Sequence, residues 1–255
     1  MRSFGKLLTN EWLKLYKKRS FFVPYAVLAA MVLFIVYLFK SMGANEGGML
    51  SGYEFSAWLF NKNGTGQMLT FMAIIGSAGI LAKEHSLGTI KLLLIRGQGR
   101  SKILASKYVT VLLYSLTLSL VTLFVGIAAG GAAFGFQGVE TGLVGALAAA
   151  GIHYAYMIVY VTITFLLGVL TRSAGASIGI GMMIVLMEGL VVQLLSRYAF
   201  TKYLLFTHAD LSVYLNGGTP PVQGVTLPFS LGVIFVYLAL FLGASFVTFK
   251  KRDVA

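Results

Sequence analysis

Four groups of residues in this chain have the types, though not all have the spacing, that chemistry would need. Gly97-Gln98-Gly99-Arg100-Ser101-Lys102 has the composition of a phosphate cradle. A cradle needs GxxxxGK[ST] after a strand, and neither the spacing nor a strand is present. His85, His153 and His208 lie in different segments, without HExxH or carboxylate spacing for a metal. Gly175-Ala176-Ser177 presents a serine among glycines. A serine nucleophile inside a membrane needs a histidine to activate it, and the last apolar segment has none, so the site reads as helix packing. The fourth is Glu188, the only acidic residue inside an apolar run. The chain has no cysteine, which excludes disulfides, thiolate metal sites and cysteine nucleophiles. These residues predict no cofactor and no metal bound by this chain.

The elements around them are set by composition. Of 255 residues, 58% are hydrophobic and only 11% charged, too few polar groups to cover a soluble domain of this size. About 20 apolar residues cross the hydrocarbon core as a helix. On that measure the spans fall at 21–39, 66–82, 108–129, 146–170, 174–195 and 229–249. The sequence therefore predicts one all-α polytopic domain over 1–255 with six transmembrane helices. The 19-residue run at 21–39 follows a basic segment like a leader's but is too long for one, and reads as a retained span.

Orientation follows from the cations. Residues 1–20 carry six Lys or Arg, 83–107 carry six, Arg172 sits in a short turn and the tail has three, sixteen in all. The alternate segments 40–65, 130–145 and 196–228 carry four. The positive-inside rule places both termini in the cytoplasm, and this partition accounts for the net charge of +12 without any nucleic-acid partner.

Two cytoplasmic pieces are amphipathic. Phe4, Leu7, Leu8, Trp12, Leu15 and Tyr16 fall on one helical face, which predicts an interfacial helix within 1–20 anchored by Trp12, Phe4 and Leu8. In the 83–107 loop, Thr89 is a helix N-cap candidate and Gly97 a stop, leaving a helix of two turns over 89–96. A helix that short needs a partner to hold it. The segment 196–228, apolar to Leu215 and then rich in turn residues, predicts a re-entrant or interfacial helix pair.

Glu84, then Gly88-Thr89-Ile90-Lys91 with Leu92-Leu93, then Arg100-Ser101 and Lys107 at the start of the third span, resembles the coupling region of type-2 ABC transporter permeases. Asn10-Glu11-Trp12-Leu13-Lys14-Leu15 resembles that family's interfacial elbow helix, and Phe249-Lys250-Lys251-Arg252-Asp253 its basic ending. The likeness covers the six-span topology but is motif-level only at these three places. It departs at Gly97–Arg100, where many members carry a proline before Ser-Arg.

The resemblance implies the permease half of an exporter, dimerising with a second copy or a paralogue. Separate cytoplasmic ATPase subunits, which hold the ATP and Mg, would dock on a coupling helix. Glu84, Gly88, Thr89, Ile90, Lys91, Leu93, Leu94, Arg96 and Arg100 would carry that contact, and the chain itself would not be an enzyme. Location in a bacterial cell membrane, and an amphipathic substrate such as an antimicrobial peptide, drug or lipid, come with the family. Because its dimer interface involves spans one and five, Glu188 and Gln193, with the deep Tyr160, become candidates for the pathway. Burying Glu188 costs roughly 2.5–3.5 kcal/mol, so it must face protein or water. His153, Tyr154, Tyr156 and Tyr160 form either a polar cluster or an interfacial aromatic belt. The alternative function is a stand-alone secondary transporter or channel, which would need coupling-ion ligands that one acid in six spans scarcely supplies.

Overall fold

The structure, a computed structural model, describes residues 4–43, 51–86, 99–136, 142–215, 220, 222 and 224–251, with the side chains of 81–86 left aside. The elements follow the order of the apolar runs. Helix α1 (Phe4–Tyr16) leads through a 3-10 turn (Arg19–Phe21) into α2 (Val23–Ser41), with Pro24 in the first turn of α2, where its missing N–H costs nothing. Then come α3 (Gly52–Trp58), α4 (Thr65–Ser86), α5 (Arg100–Phe134), α6 (Leu143–Thr171) and α7 (Ala174–Leu195). A 3-10 turn (Ala199–Tyr203) precedes the one-turn helices α8 (Leu205–His208) and α9 (Ser212–Leu215), and α10 (Leu227–Lys251) ends the described chain.

Five of these helices are long and apolar enough to cross a membrane: α2 with its leading turn, α5, α6, α7 and α10. The chain is an all-α polytopic membrane protein. The expected span at 66–82 lies inside α4, whose described apolar stretch, Thr65–Ile80, is shorter than the other five. The expected 108–129 lies inside a 35-residue helix, about 52 Å long at 1.5 Å per residue. Hydropathy reads the thickness of the apolar layer, and Ser101, Lys102, Ser106 and Lys107 continue the same helix outside that signal.

Helix α6 is the centre of the bundle. Its most apolar window is 61% buried, against 6% for α10 at the rim. One core joins α1, α2, α4, α5, α6 and α10 around Leu104, Leu118, Met157 and Phe165. Most buried hydroxyls turn back to a carbonyl one turn earlier, as Thr110 does to Ser106, Thr122 to Leu118 and Thr164 to Tyr160. Other hydroxyls cross between helices, among them Tyr25 with Thr117 at 2.6 Å and Tyr108 with Thr162 at 2.8 Å.

The end of the bundle away from α1 is closed by α3 and the α8–α9 region. Helix α3 begins with a capping box, in which Ser51 Oγ accepts from the Glu54 N–H and Glu54 accepts from the Ser51 N–H. It lies against α5 through backbone contact. A Cβ on Gly52 would stand 2.5 Å from the Gly131 nitrogen, so only glycine permits this approach. The described part of 196–228 is a 3-10 turn and two one-turn helices that pack on α6, α7 and α10. His208 accounts for part of this: its imidazole pairs with Ser230 of α10 and with the Lys202 carbonyl, each at 2.8 Å.

Candidate functional site

Two buried ionic groups stand out, one at each end of the bundle. At the far end from α1, Lys62 lies in the turn between α3 and α4, Glu188 in the last third of α7, and Asp210 between α8 and α9. Lys62 Nζ is 3.0 Å from Glu188 Oε1 and 3.0 Å from Asp210 Oδ2. The other oxygen of Glu188 accepts from the Tyr156 hydroxyl at 2.8 Å and from Tyr160 as well. Asp210 Oδ1 accepts the Ser212 N–H at 2.9 Å. Glu188 is 4% exposed, so every one of these partners offsets the cost of bringing a carboxylate out of water.

The charges support one another. Burial by itself would push the Lys62 ammonium down, but Glu188 and Asp210 hold it above the usual lysine value. Burial would raise the Asp210 carboxyl, and Lys62 with Ser212 holds it below the usual range. Two cavities flank the group. One, of about 560 Å³, is lined by Trp58, Phe60, His153 and Tyr156; the other, of about 310 Å³, by Glu188, Gln193 and Phe206. Lys62 and Asp210 line both.

At the opposite end, Lys107 near the start of α5 is completely buried, and its Nζ is 2.9 Å from Glu11 Oε2 of α1. Lys14 reaches the other Glu11 oxygen at 2.6 Å. Burial would raise the Glu11 carboxyl, but Lys107 and Lys14 hold it below the usual carboxylate range. About two turns before Lys107, Arg100 Nη1 donates to the Lys250 carbonyl of α10 at 3.0 Å. Trp12, Leu104 and Phe249 belong to the same core, so α1, the foot of α5 and the end of α10 meet here.

The sequence expectations divide accordingly. Gly88, Thr89, Ile90, Lys91, Leu93, Leu94 and Arg96 lie outside the described residues, as does the side chain of Glu84. In α1, Leu7, Leu8, Trp12 and Leu15 are half-buried with Glu11 buried beside them, while Phe4 and Tyr16 are exposed. Glu188 and Gln193 do line one cavity, and Tyr160 lies behind Glu188, buried and bonded to it. His153, Tyr156 and Tyr160 are buried, which favours the polar cluster over an aromatic belt, and His153 contacts Thr70 at 3.3 Å. Gly175 and Gly179 have no neighbour in packing range, whereas Gly181 meets Thr164 and Ile74.

Sequence reasoning did not single out Lys62, Asp210 or the Glu11–Lys107 pair. The available signal was an oddity of placement for Lys62, which sits in a segment that the positive-inside rule leaves poor in cations.

Two proteins of Bacillus subtilis (strain 168) resemble this chain nearly end to end. It is 27% identical to Uncharacterized protein YhcI over 318 aligned residues, covering 98% of this chain and 99% of that one. It is 26% identical to Uncharacterized membrane protein YdbK over 247 residues, covering 95% and 99%. Residues 21–255 match the family described as protein of unknown function (DUF2705), which takes in every apolar helix and the whole far-end ionic group. This chain is a member of the DUF2705 family.

Proposed function

We propose that the chain is the membrane-spanning permease subunit of an ATP-driven ABC exporter. On this reading it has six spans, α4 supplying the second. It pairs with a second copy or a paralogue and couples to separate cytoplasmic ATPase subunits, which bind the ATP and Mg. It holds no ATPase site and lies in a bacterial cell membrane with both termini in the cytoplasm. Its cargo is amphipathic: an antimicrobial peptide, a drug or a lipid.

The observation that carries the reading is a convergence. Each of the three places where the sequence resembles type-2 permeases has a described part: α1, the first turns of α5 from Arg100 to Lys107, and the end of α10. These parts meet at one end of the bundle through Glu11–Lys107 and Arg100–Lys250. An elbow helix bonded to the helix that follows the 83–107 loop is suited to passing a push on that loop into the bundle. A stand-alone secondary transporter would need a set of coupling-ion ligands, and Glu188 is the only acid within the six apolar runs of the sequence.

The test is gentle affinity purification of the tagged chain from its native membrane. A stoichiometric ATPase subunit is expected, and it should be lost when Ile90→Asp and Leu93→Asp are combined while membrane insertion persists. Association unchanged by that pair would reject the placement of the coupling segment. Absence of any ATPase would reject the exporter reading.

A further inference from the structure

We propose that the two far-end cavities form one binding site for an organic cation, an amphipathic amine or quaternary ammonium compound. In it, Lys62 is a tethered cation that the ligand's ammonium replaces between Glu188 and Asp210.

The carboxylates are built to outlast the departure of Lys62. Each has one oxygen given to Lys62 and the other anchored elsewhere: Glu188 by Tyr156 and Tyr160, Asp210 by the Ser212 N–H. Their positions therefore do not depend on the lysine. Lys62 is the mobile partner, 31% exposed at the side chain on a flexible four-carbon stem that can carry its ammonium into water. The formal charge of the group is −1, so a second cation is favoured there and an anion would meet two carboxylates of its own sign.

The cavity walls fit the rest of such a ligand. Trp58, Phe60 and Tyr156 line the larger cavity together with Asp210, and aromatic rings attract an organic cation. Ala148, Ala149 and Ile152 of α6 supply an apolar wall for a hydrocarbon group. A volume of about 560 Å³ falls within the range of roughly 300–1,000 Å³ common to small-molecule sites. The site deepens the export reading by naming the class of cargo and rests on that reading for calling the ligand cargo. Binding is measured on the permease without any ATPase, so the two proposals fail in separate experiments.

The experiment is equilibrium binding of radiolabelled benzyltrimethylammonium to the full chain in phosphatidylcholine nanodiscs. Neopentylbenzene, its uncharged isostere, serves as competitor. Saturable binding that neopentylbenzene does not displace is expected. Lys62→Ala should tighten it by about tenfold, because the internal competitor is gone, and Lys62→Arg should leave it within about threefold of the natural chain. Asp210→Asn, which keeps the Lys62–Glu188 pair, should weaken it by about tenfold. A purely structural ion group predicts the reverse sign for Lys62→Ala, so unchanged or weaker binding in a monodisperse sample overturns the proposal. So does absence of saturable binding, equal displacement by neopentylbenzene, or an Asp210→Asn variant that binds like the natural chain; that last variant decides the matter if Lys62→Ala does not fold.

Discussion

Glu11→Gln replaces the carboxylate that faces the buried Lys107 with a neutral amide. Exchanging a hydrogen bond between charged groups for a neutral one costs about 1.5–3 kcal/mol. The contact to Lys14 adds little: that side chain is 45% exposed, and such pairs are worth about 0–1 kcal/mol. The loss should fall on the docking of α1. The chain has two tryptophans, Trp12 and Trp58, so a Trp58→Phe background leaves Trp12 as a reporter on that helix. Titration with SDS in mixed micelles, followed by Trp12 emission, should show α1 released at lower SDS in Glu11→Gln. The pH dependence follows from the lowered Glu11 carboxyl. Its folded value lies below the unfolded one near 4.3, so its contribution is full above about pH 4.3 and is lost as pH falls through the folded value. The Trp12 transition should therefore be flat from neutral pH down to about 4.5 and weaken below, and Glu11→Gln should lack the acid limb. If Glu11→Gln releases α1 at the same SDS as the natural chain, the ion pair does not hold the helix and the convergence at that end loses its energetic basis.

Two further outcomes follow from the same packing. Glu188→Gln exchanges charge-assisted hydrogen bonds to Lys62, Tyr156 and Tyr160 for neutral ones, and Lys62 keeps Asp210. A loss of about 1.5–3 kcal/mol is expected in the SDS titration, with altered transport and unreduced dimer yield; equal loss of transport and dimer would make Glu188 a structural residue. Gly52→Ala places a methyl against the Gly131 backbone and should destabilise by about 1–3 kcal/mol through overpacking, read as a lower thermal midpoint. A midpoint equal to the natural chain's would mean α3 can shift on α5 without cost.

The sequence alone decides that the chain lives in a membrane, because apolar runs of span length have no other solvent. It also decides where the helices run. The starts and ends of α2, α6, α7 and α10 lie within about three residues of the apolar limits, and the N-terminal helix sits inside 1–20 as its periodicity requires. What hydropathy could not give was the length of α5, since a helix continues past the layer whose thickness hydropathy measures. The burial of Glu11 was hidden for a related reason. A hydrophobic face is found by its apolar residues, and here the one buried residue of α1 is polar and held by its partner.

The ionic groups belong to the tertiary structure altogether. Glu188 was visible as an anomaly, because an acid in an apolar run is costly, but the cost says nothing about which cation meets it. Lys62 is 126 positions away and Lys107 is 96 positions from Glu11. Periodicity reports only neighbours one or two turns apart, so no local pattern links such residues. Burial turned these charges from surface groups into partners, and only the packing of α1 on α5, and of the α8–α9 turns over α6 and α7, determined which charges would be buried together.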